Sequence, residues 1–284
     1  MGTIVIAWLA VTVGVAVLAA AVWGFWFEPR LLRVRERELA VAGWPAGMPS
    51  LRVALLGDIH LGNPPVSAAR LQKIVARVNE QKPDVVLLLG DFVVGQARWL
   101  ADPDATPEQA AHILGALRAP LGVIAVLGNH DWRYDGPRVQ RALVAVGITV
   151  LENERVARHK DNVRFFIAGV ADDITRKPDV PAALAGLAPD DPIILIAHDP
   201  AVLLDVPAGP IVTFAAHTHG GQVYLPLLGA LWVSSRAPRR WAYGLIENRG
   251  RQMFVTSGIG TSIIPVRFNM PPEIAILTLR GGNP

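Results

Sequence analysis

The 284-residue chain contains no cysteine, and this absence removes several classes of protein at once. Without thiols, a disulfide scaffold, a thiolate zinc site, an iron–sulfur cluster and lipidation at cysteine are all excluded. The compartment stays open, because a chain without cysteine is compatible with either redox environment. Charged residues are also scarce, at 18%, but 51% of the residues are hydrophobic, which excludes a disordered chain. The net charge of +3 is too small to indicate a nucleic-acid partner by itself.

Charge is missing altogether from residues 1–27. About 20 apolar residues are enough for a helix to cross ~30 Å of hydrocarbon. The run ends in four aromatic residues, Trp23, Phe25, Trp26 and Phe27. Such aromatic belts mark the membrane interface, so we predict a transmembrane anchor over 1–27. A cleaved signal peptide is the alternative, with Ala19-Ala20-Ala21 as its cleavage site, although no basic residue precedes the apolar run.

The positive charges closest to this run lie after it, at Arg30, Arg33, Arg35 and Arg37. By the positive-inside rule, we expect a single-pass protein of a bacterial-type cell membrane with its domain on the cytoplasmic side. Residues 28–50 are interpreted as a connector, because they end in a cluster of proline and glycine. Residues 51–284 then form the predicted domain.

This domain begins with a regular alternation of strands and helices. Predicted strands at 51–56, 84–89 and 122–127 are separated by predicted helices at 67–81 and 106–118. Nearly continuous apolar strands between helices are typical of a parallel sheet covered on both faces.

The second half of the domain is rich in strand patterns. After a third helix near 137–146, strands are predicted at 163–170, 192–197, 211–216, 241–247, 251–256 and 273–279, with one short helix near 180–187. The sequence therefore predicts one α/β domain whose core contains two sheets.

Polar motifs follow five of the predicted strands. They are Gly57-Asp58-Ile59-His60, Gly90-Asp91, Gly128-Asn129-His130-Asp131, Ala197-His198 and Ala216-His217-Thr218-His219. Open α/β sheets place their sites at the carboxyl ends of strands. Any one of these histidines alone would more often be structural, but five of the seven histidines share this position with two aspartates and an asparagine. Imidazole, carboxylate and amide ligands without sulfur favour Mn²⁺, Fe or Zn²⁺ over Ca²⁺ or Mg²⁺.

The order of these motifs resembles the signature of the calcineurin-like metallophosphoesterase superfamily. The one departure is Ala216, where the family usually has glycine; it adds a methyl group beside the turn and removes no ligand. The tail from Ser257 to Glu273 and the apolar N-terminal segment are similar to the membrane-associated branch of small bacterial phosphodiesterases. The resemblance implies a four-layer α/β/β/α sandwich preceded by a transmembrane helix.

The resemblance also implies roles for particular residues. Asp58, His60 and His219 would hold one metal ion, Asn129, His198 and His217 the other, and Asp91 would bridge both. His130 would act on the substrate as a catalytic group, and Asp131 would orient its ring. We expect two divalent cations, with Mn²⁺ first and Zn²⁺ or Fe as alternatives, which would activate water for attack on phosphorus.

The implied reaction is hydrolysis of a phosphodiester or pyrophosphate bond. We expect the substrate to be a membrane lipid precursor such as UDP-2,3-diacylglucosamine; the alternative is a broad phosphodiesterase or phosphatase for soluble nucleotides or envelope phosphodiesters. The expected partners are the bilayer and an amphiphilic phosphorylated substrate. Nucleic acid is not expected, because the basic cluster Arg236, Arg239 and Arg240 lacks interleaved aromatic residues. The apolar run at 225–233 predicts either a buried hairpin or sheet edge, or a flank of the active-site cleft that receives an acyl chain or docks on the membrane. The oligomeric state is left unpredicted.

Overall fold

The structure is a computed structural model that describes residues 2–45, 47–94 and 102–282. Residues 283 and 284 of the predicted domain lie outside the described residues. The helices are α1 (Gly2–Val22), α2 (Ala68–Glu80), α3 (Pro107–Leu114), α4 (Asn129–Ala145) and α5 (Val180–Leu184). The first seven strands are β1 (Arg33–Val41), β2 (Leu51–Leu56), β3 (Val85–Leu88), β4 (Val123–Ala125), β5 (Thr149–Val150), β6 (Glu154–Lys160) and β7 (Val163–Gly169). They are followed by β8 (Ile193–Ile196), β9 (Ile211–Ala215), β10 (Tyr224–Leu225), β11 (Gly229–Ala230), β12 (Gly244–Asn248), β13 (Arg251–Val255) and β14 (Glu273–Gly281).

Two six-stranded sheets form the centre of the domain. The first has the order β1-β14-β2-β3-β4-β5 and the second β12-β13-β9-β8-β7-β6. Strands β2 to β5 run parallel to one another, as do β7, β8, β9 and β13. Their carboxyl ends therefore collect at one edge of each sheet.

Alternate side chains of these strands enter different apolar layers. In β2, Val53 and Leu55 pack between the two sheets with Phe214 of β9, whereas Ala54 and Leu56 pack beneath α2, α3 and α4. The outer face of the second sheet is covered by α5 and by the short 3₁₀ helix Pro200–Leu204. Helix, sheet, sheet and helix make four layers, so the predicted α/β/β/α fold is confirmed.

Two predicted helices begin one residue after their predicted starts, because the first predicted residue of each is the N-cap. The Ser67 hydroxyl accepts a hydrogen bond from the Arg70 amide, and the Thr106 hydroxyl accepts one from the Gln109 amide. The third helix differs, because α4 begins at Asn129, ahead of the predicted 137–146. Asp135 interrupts it with an extended backbone, so the predicted segment is only its second half.

The segment interpreted as a connector contains a strand of the first sheet. β1 pairs in parallel with β14 over nine positions, from Arg33 opposite Glu273 to Val41 opposite Gly281. The sheet of the domain therefore begins ahead of residue 51, inside the predicted connector.

The N-terminal helix is long and apolar enough to span a membrane, because an 18-residue stretch within Gly2–Arg30 has a mean hydropathy of 2.6. Within α1 no residue is buried. The chain turns into contact with the domain just after it, where the Arg267 amide donates a hydrogen bond of 2.9 Å to the Gly24 carbonyl. Glu28 is buried at this base and accepts hydrogen bonds from the Trp23 indole and the Met270 amide.

Candidate metal centre

The motifs of both sheets meet at one place. The turns after β2, β3 and β4 carry Asp58 with His60, Asp91, and Asn129, while the turns after β8 and β9 carry His198 and the pair His217 and His219. All seven of these predicted metal ligands are buried. The structure thus brings together side chains that lie up to 161 positions apart in the chain, from Asp58 to His219.

One group consists of Asp58, His60 and His219, whose ligand atoms lie within 4.8 Å of one another. The Nε2 atoms of His60 and His219 are 3.3 Å apart, and His219 Nε2 is 3.9 Å from Asp58 Oδ1. These are the three residues expected to hold the first metal ion.

A second group contains Asn129, His198 and His217. His198 Nε2 lies 3.2 Å from Asn129 Oδ1 and 3.1 Å from His217 Nδ1. The other ring nitrogen of each histidine is occupied: His198 Nδ1 donates to the Leu89 carbonyl, and His217 Nε2 lies 3.0 Å from the Ser234 hydroxyl. Such contacts fix the ring orientation and leave one nitrogen of each ring for a metal.

Asp91 lies between the two groups. Its Oδ2 atom is 3.5 Å from His60 Nε2 in the first group and 3.3 Å from His198 Nε2 in the second. Its Oδ1 atom accepts a hydrogen bond of 2.8 Å from the His130 amide, which fixes the orientation of the carboxylate. A carboxylate in this place is suited to bridge two cations.

The donor set fits divalent cations. Ligands ~2.1 Å from one cation, at tetrahedral or octahedral angles, are roughly 3.0–3.4 Å from each other. The 3.3 Å between the Nε2 atoms of His60 and His219 and the 3.1–3.2 Å from His198 Nε2 to its two neighbours match this spacing, whereas the distance of 3.9 Å from His219 to Asp58 is longer. The Asp58 Oδ2 atom is buried and has no hydrogen-bond partner. A buried carboxylate oxygen of this kind needs a partner, and a cation would supply it.

The backbone at this centre is held in an uncommon conformation. Five of the predicted ligands have positive φ angles between 49° and 67°: Asp58, His60, Asp91, His217 and His219. Residues other than glycine seldom adopt this left-handed region. Strain of this kind persists only where the surrounding structure over-determines it, and it clusters at functional sites.

Ala216, the departure from the family motif, is accommodated by Gly57. A Cβ atom on Gly57 would lie 2.5 Å from the Ala216 Cβ. The methyl group at 216 therefore fills space that the neighbouring motif leaves open, and the turn that carries His217 keeps its place.

We expect Gly57→Ala to destabilise the protein by ~1–3 kcal/mol, because two methyl groups would compete for this space, and to reduce metal content by displacing Asp58. Thermal denaturation and metal analysis would check this. The double variant Gly57→Ala/Ala216→Gly moves the methyl group across the contact and should recover much of the loss. A single variant as stable and metal-rich as the parent would contradict the packing argument.

Asp131 makes a set of hydrogen bonds that the sequence did not predict. Its carboxylate accepts hydrogen bonds from four backbone amides, those of Asp91, Phe92, Val93 and Gly128. Both of its oxygens are used in this way, so Asp131 holds the turn that carries Asp91. It is therefore a positioning residue for the expected bridging ligand, and its implied role in orienting the His130 ring stays a prediction.

Burial and neighbouring charges shift the pKa values of the groups in this centre, upward for Asp58 and downward for Asp91 and His219. Burial raises the pKa of Asp58 to about 7, and the neighbouring Asp91 carboxylate adds to this. Burial would also raise the pKa of Asp91, but the adjacent His198 and His130 outweigh it and hold that pKa well below its usual value. Burial lowers the pKa of His219, with a further contribution from His60. Asp91 is thus the carboxylate most strongly held in its charged form.

A cleft of about 510 Å³ opens onto these ligands. His130 lines it, half-buried, and its ring packs edge-on against that of His60 with 4.8 Å between centroids. Arg133 lies one helical turn further along α4 and also faces the cleft. Arg133 was not predicted as a site residue from the sequence, although its spacing of three from His130 at the start of a helix was a usable signal.

The outer part of the cleft is apolar. Trp232, Ile263 and Ile264 line it and are exposed, at 63%, 66% and 51%. Trp232 belongs to the apolar run at 225–233, so this end of the run flanks the cleft. The run does form a hairpin, β10 and β11, but its turn is exposed where the alternative predicted burial. Ile263 and Ile264 were not identified as site residues from the sequence.

A two-sheet sandwich with clustered carboxylate, amide and imidazole groups at its strand ends is the architecture of a metal-dependent hydrolase of phosphoric esters. Residues 51–228 match the calcineurin-like phosphoesterase family, and the chain belongs to that family.

Three relatives show the range of proteins that this chain is similar to. The uncharacterized metallophosphoesterase YkuE of Bacillus subtilis is 28% identical, with 94% of this chain and 93% of the relative covered. A transmembrane protein with metallophosphoesterase domain from Danio rerio is 33% identical, covering 92% of this chain but only 60% of the relative. The UDP-2,3-diacylglucosamine pyrophosphatase LpxG of Chlamydia trachomatis is 27% identical, covering 90% and 92%. Together with α1, the zebrafish relative supports a single-pass membrane anchor.

Proposed function

We propose that this enzyme hydrolyses a phosphodiester or pyrophosphate bond in an amphiphilic lipid precursor, with UDP-2,3-diacylglucosamine as the leading candidate, on the cytoplasmic face of the membrane. The observation that carries the proposal is the composition of the cleft. Metal-ligating groups lie at its floor, while exposed Trp232, Ile263 and Ile264 form its outer wall. A headgroup phosphate and an acyl chain require these two environments side by side.

The residues of the chain divide the chemistry between them. Two divalent cations, proposed to be Mn²⁺ with Zn²⁺ or Fe as alternatives, would supply charge neutralisation at phosphorus and lower the pKa of water. His130, at the edge of the ligand cluster, is placed to stabilise charge in the transition state or to protonate the leaving oxygen. Arg133 would hold a phosphate oxygen at the mouth of the cleft.

The cytoplasmic orientation rests on charge. Arg30, Arg33 and Arg37 are exposed just after the anchor, and Arg35 pairs with Glu273 at 3.1 Å. Arginines in this position are retained on the cytoplasmic side. A reporter enzyme that is active only outside the cytoplasm, fused to the C-terminus, checks the orientation. Reporter activity would contradict the cytoplasmic orientation and would favour an envelope phosphodiester as substrate.

The second candidate function is hydrolysis of soluble nucleotide diesters, which the open, Arg133-lined mouth of the cleft also admits. A nucleic-acid substrate is not proposed, since Arg236 of the basic cluster is paired with Asp173 and Asp205. Purified full-length protein with Mn²⁺ should be assayed in parallel against UDP-2,3-diacylglucosamine in bilayers and against soluble nucleotide diesters. Turnover confined to the soluble diesters would overturn the lipid assignment.

Removing residues 1–22 should separate the anchor from the chemistry. Helix α1 has no buried residue, so its loss removes no core packing, and a cut after Val22 keeps Gly24 and Glu28 in contact with the domain. We expect unchanged turnover of a small chromogenic diester and reduced turnover of lipid presented in bilayers. An equal loss on both substrates would contradict the tethering role.

A further inference from the structure

The hairpin beyond the His217 and His219 loop exposes apolar side chains to an unusual extent. β10 and β11 pair as Tyr224–Ala230 and Leu225–Gly229, and the turn between them carries Leu227 and Leu228. Leu227 is fully exposed and Leu228 is 61% exposed. Neither residue lines the cleft over the metal ligands, so substrate binding in that cleft does not account for them.

The turn holds Leu227 where glycine would be the ordinary choice. The Leu228 amide donates to the Leu225 carbonyl at 3.2 Å, Pro226 follows Leu225, and Leu227 has a φ of 69°. Proline second and a positive φ third define a type II turn, whose third position favours glycine or asparagine. A leucine kept in this conformation, with its side chain in solvent, does not serve the folding of the hairpin.

A second loop repeats the pattern on the same side. Ile263 has a φ of 60° and is 66% exposed, and a β-branched residue in this region is a genuine outlier. The Gln222 side chain ties the two loops together through hydrogen bonds to the Ser262 and Ile264 carbonyls. We name the joint surface the apolar lip: Pro226, Leu227, Leu228, Leu231, Trp232, Ile263 and Ile264.

The apolar lip is continuous with the membrane anchor. Phe268, which follows the second loop, donates to the Gln222 carbonyl and accepts from the Tyr224 amide, while the adjacent Arg267 amide bonds to Gly24 at the base of the anchor. Pro226 lines a groove of about 600 Å³ together with Ala19, Ala20 and Trp23 of the N-terminal helix.

That groove lies at the border of the anchor. Ala19 is four residues, or roughly 6 Å of helix, further into the anchor than Trp23, where the aromatic belt begins. Glu28, Arg33 and Arg35 line the same groove on the side of the domain, so Pro226 and the leucines after it lie where the apolar anchor meets the first charged residues.

Charge at the edge of the lip is complementary to lipid headgroups. Arg239 and Arg240 are exposed and line one cavity with Leu227 and Leu228. Apolar side chains next to arginine are the composition of an element that lies in the membrane interface, where basic groups meet anionic phosphates.

From these contacts we infer that the apolar lip inserts into the same leaflet in which the N-terminal helix ends, so that the bilayer covers it. The inference requires the anchor but not any particular substrate. It stands if the enzyme acts on soluble diesters.

The absence of cysteine allows a site-specific test in the full chain. The variants Leu227→Cys and Leu228→Cys are each labelled at the new cysteine with an environment-sensitive fluorophore. Each labelled protein is placed in nanodiscs of phosphatidylethanolamine and phosphatidylglycerol, with one copy per nanodisc. Val144→Cys is the matched control, because Val144 is 54% exposed near the far end of α4 from the metal ligands. Turnover of a small chromogenic diester verifies that each labelled protein is folded.

The emission of the labels at 227 and 228 should shift to the blue, be strongly quenched by nitroxide-labelled lipid and be protected from quenching by iodide. The label at 144 should be quenched by iodide alone. Labels at the lip that iodide quenches as strongly as the control would overturn the inference. Shielding from iodide without quenching by nitroxide lipid would also overturn it, since a second copy or another protein surface would then cover the lip.

Discussion

Asp91→Asn is expected to reduce the metal content from two ions per chain to one or none and to abolish turnover. Asp91 Oδ2 is within 3.5 Å of a histidine from each ligand group, so one substitution removes a donor from both sites. The amide keeps an oxygen for the His130 N–H but cannot bridge two cations with negative charge. Metal analysis of the purified variant and turnover of a chromogenic diester measure the two effects.

The matched control is Asp84→Asn, at the opposite end of the same strand. Asp84 pairs with Lys160 and accepts the Arg52 amide, so its loss tests the general cost of removing a carboxylate from β3. This control should retain both ions and turnover. An Asp91→Asn protein with two ions at normal occupancy and normal activity would remove the bridging assignment.

His130→Ala should retain both ions and slow hydrolysis by about 10²–10⁴-fold, the usual contribution of a positioned acid or base. The His130 ring lines the cleft and has a nitrogen within 4.8 Å of the Asp91 carboxylate. The hydrogen bond from His130 to Asp91 is made by the backbone amide and survives the substitution. Steady-state kinetics and metal analysis on the same preparation measure the two quantities.

The choice of leaving group separates the two roles open to His130. If the ring protonates the leaving oxygen, the loss should be large for an alkyl leaving group and small for nitrophenolate, which departs without a proton. If the ring stabilises transition-state charge, both substrates should slow alike. His112→Ala, an exposed histidine of α3, should change neither rate. Loss of metal in His130→Ala would show that a ligand had been misassigned.

The central strands were predictable from sequence because burial on both faces leaves them almost wholly apolar. β2 was predicted with its bounds intact, and most other interior strands were within one to three residues. Of the four edge strands in the two six-stranded sheets, three were not predicted: β1, β5 and β6. β5 has only two residues, and the other two are rich in charge, as in Arg33–Val41, because sheet edges are protected from aggregation by charged side chains. The charged residues of β1 concealed its strand pattern, and the proline and glycine cluster after it placed the predicted start of the domain at residue 51.

The positions of the candidate metal ligands were predictable for a related reason: each follows a strand directly, and local sequence determines that relation. The role of Asp131 was not, because its four amide donors come from two separate turns, at 91–93 and at 128. The apolar wall of the cleft was likewise not predictable from the sequence. Ile263 and Trp232 lie in irregular segments, where neither hydrophobic periodicity nor a known motif indicates the direction of a side chain.

The hydrogen bond between Gly24 and Arg267 joins the anchor to the domain directly, because Gly24 lies only two residues after the end of α1. Arg267 is fully buried and also bonds to the carbonyls of Gly260 and Ser257, the second of which lies next to the glycine packed on Asp58. These contacts therefore set the distance between the cleft and the membrane surface. If the substrate is a lipid, as proposed, its lateral diffusion within the leaflet would bring it to the cleft without any movement of the enzyme.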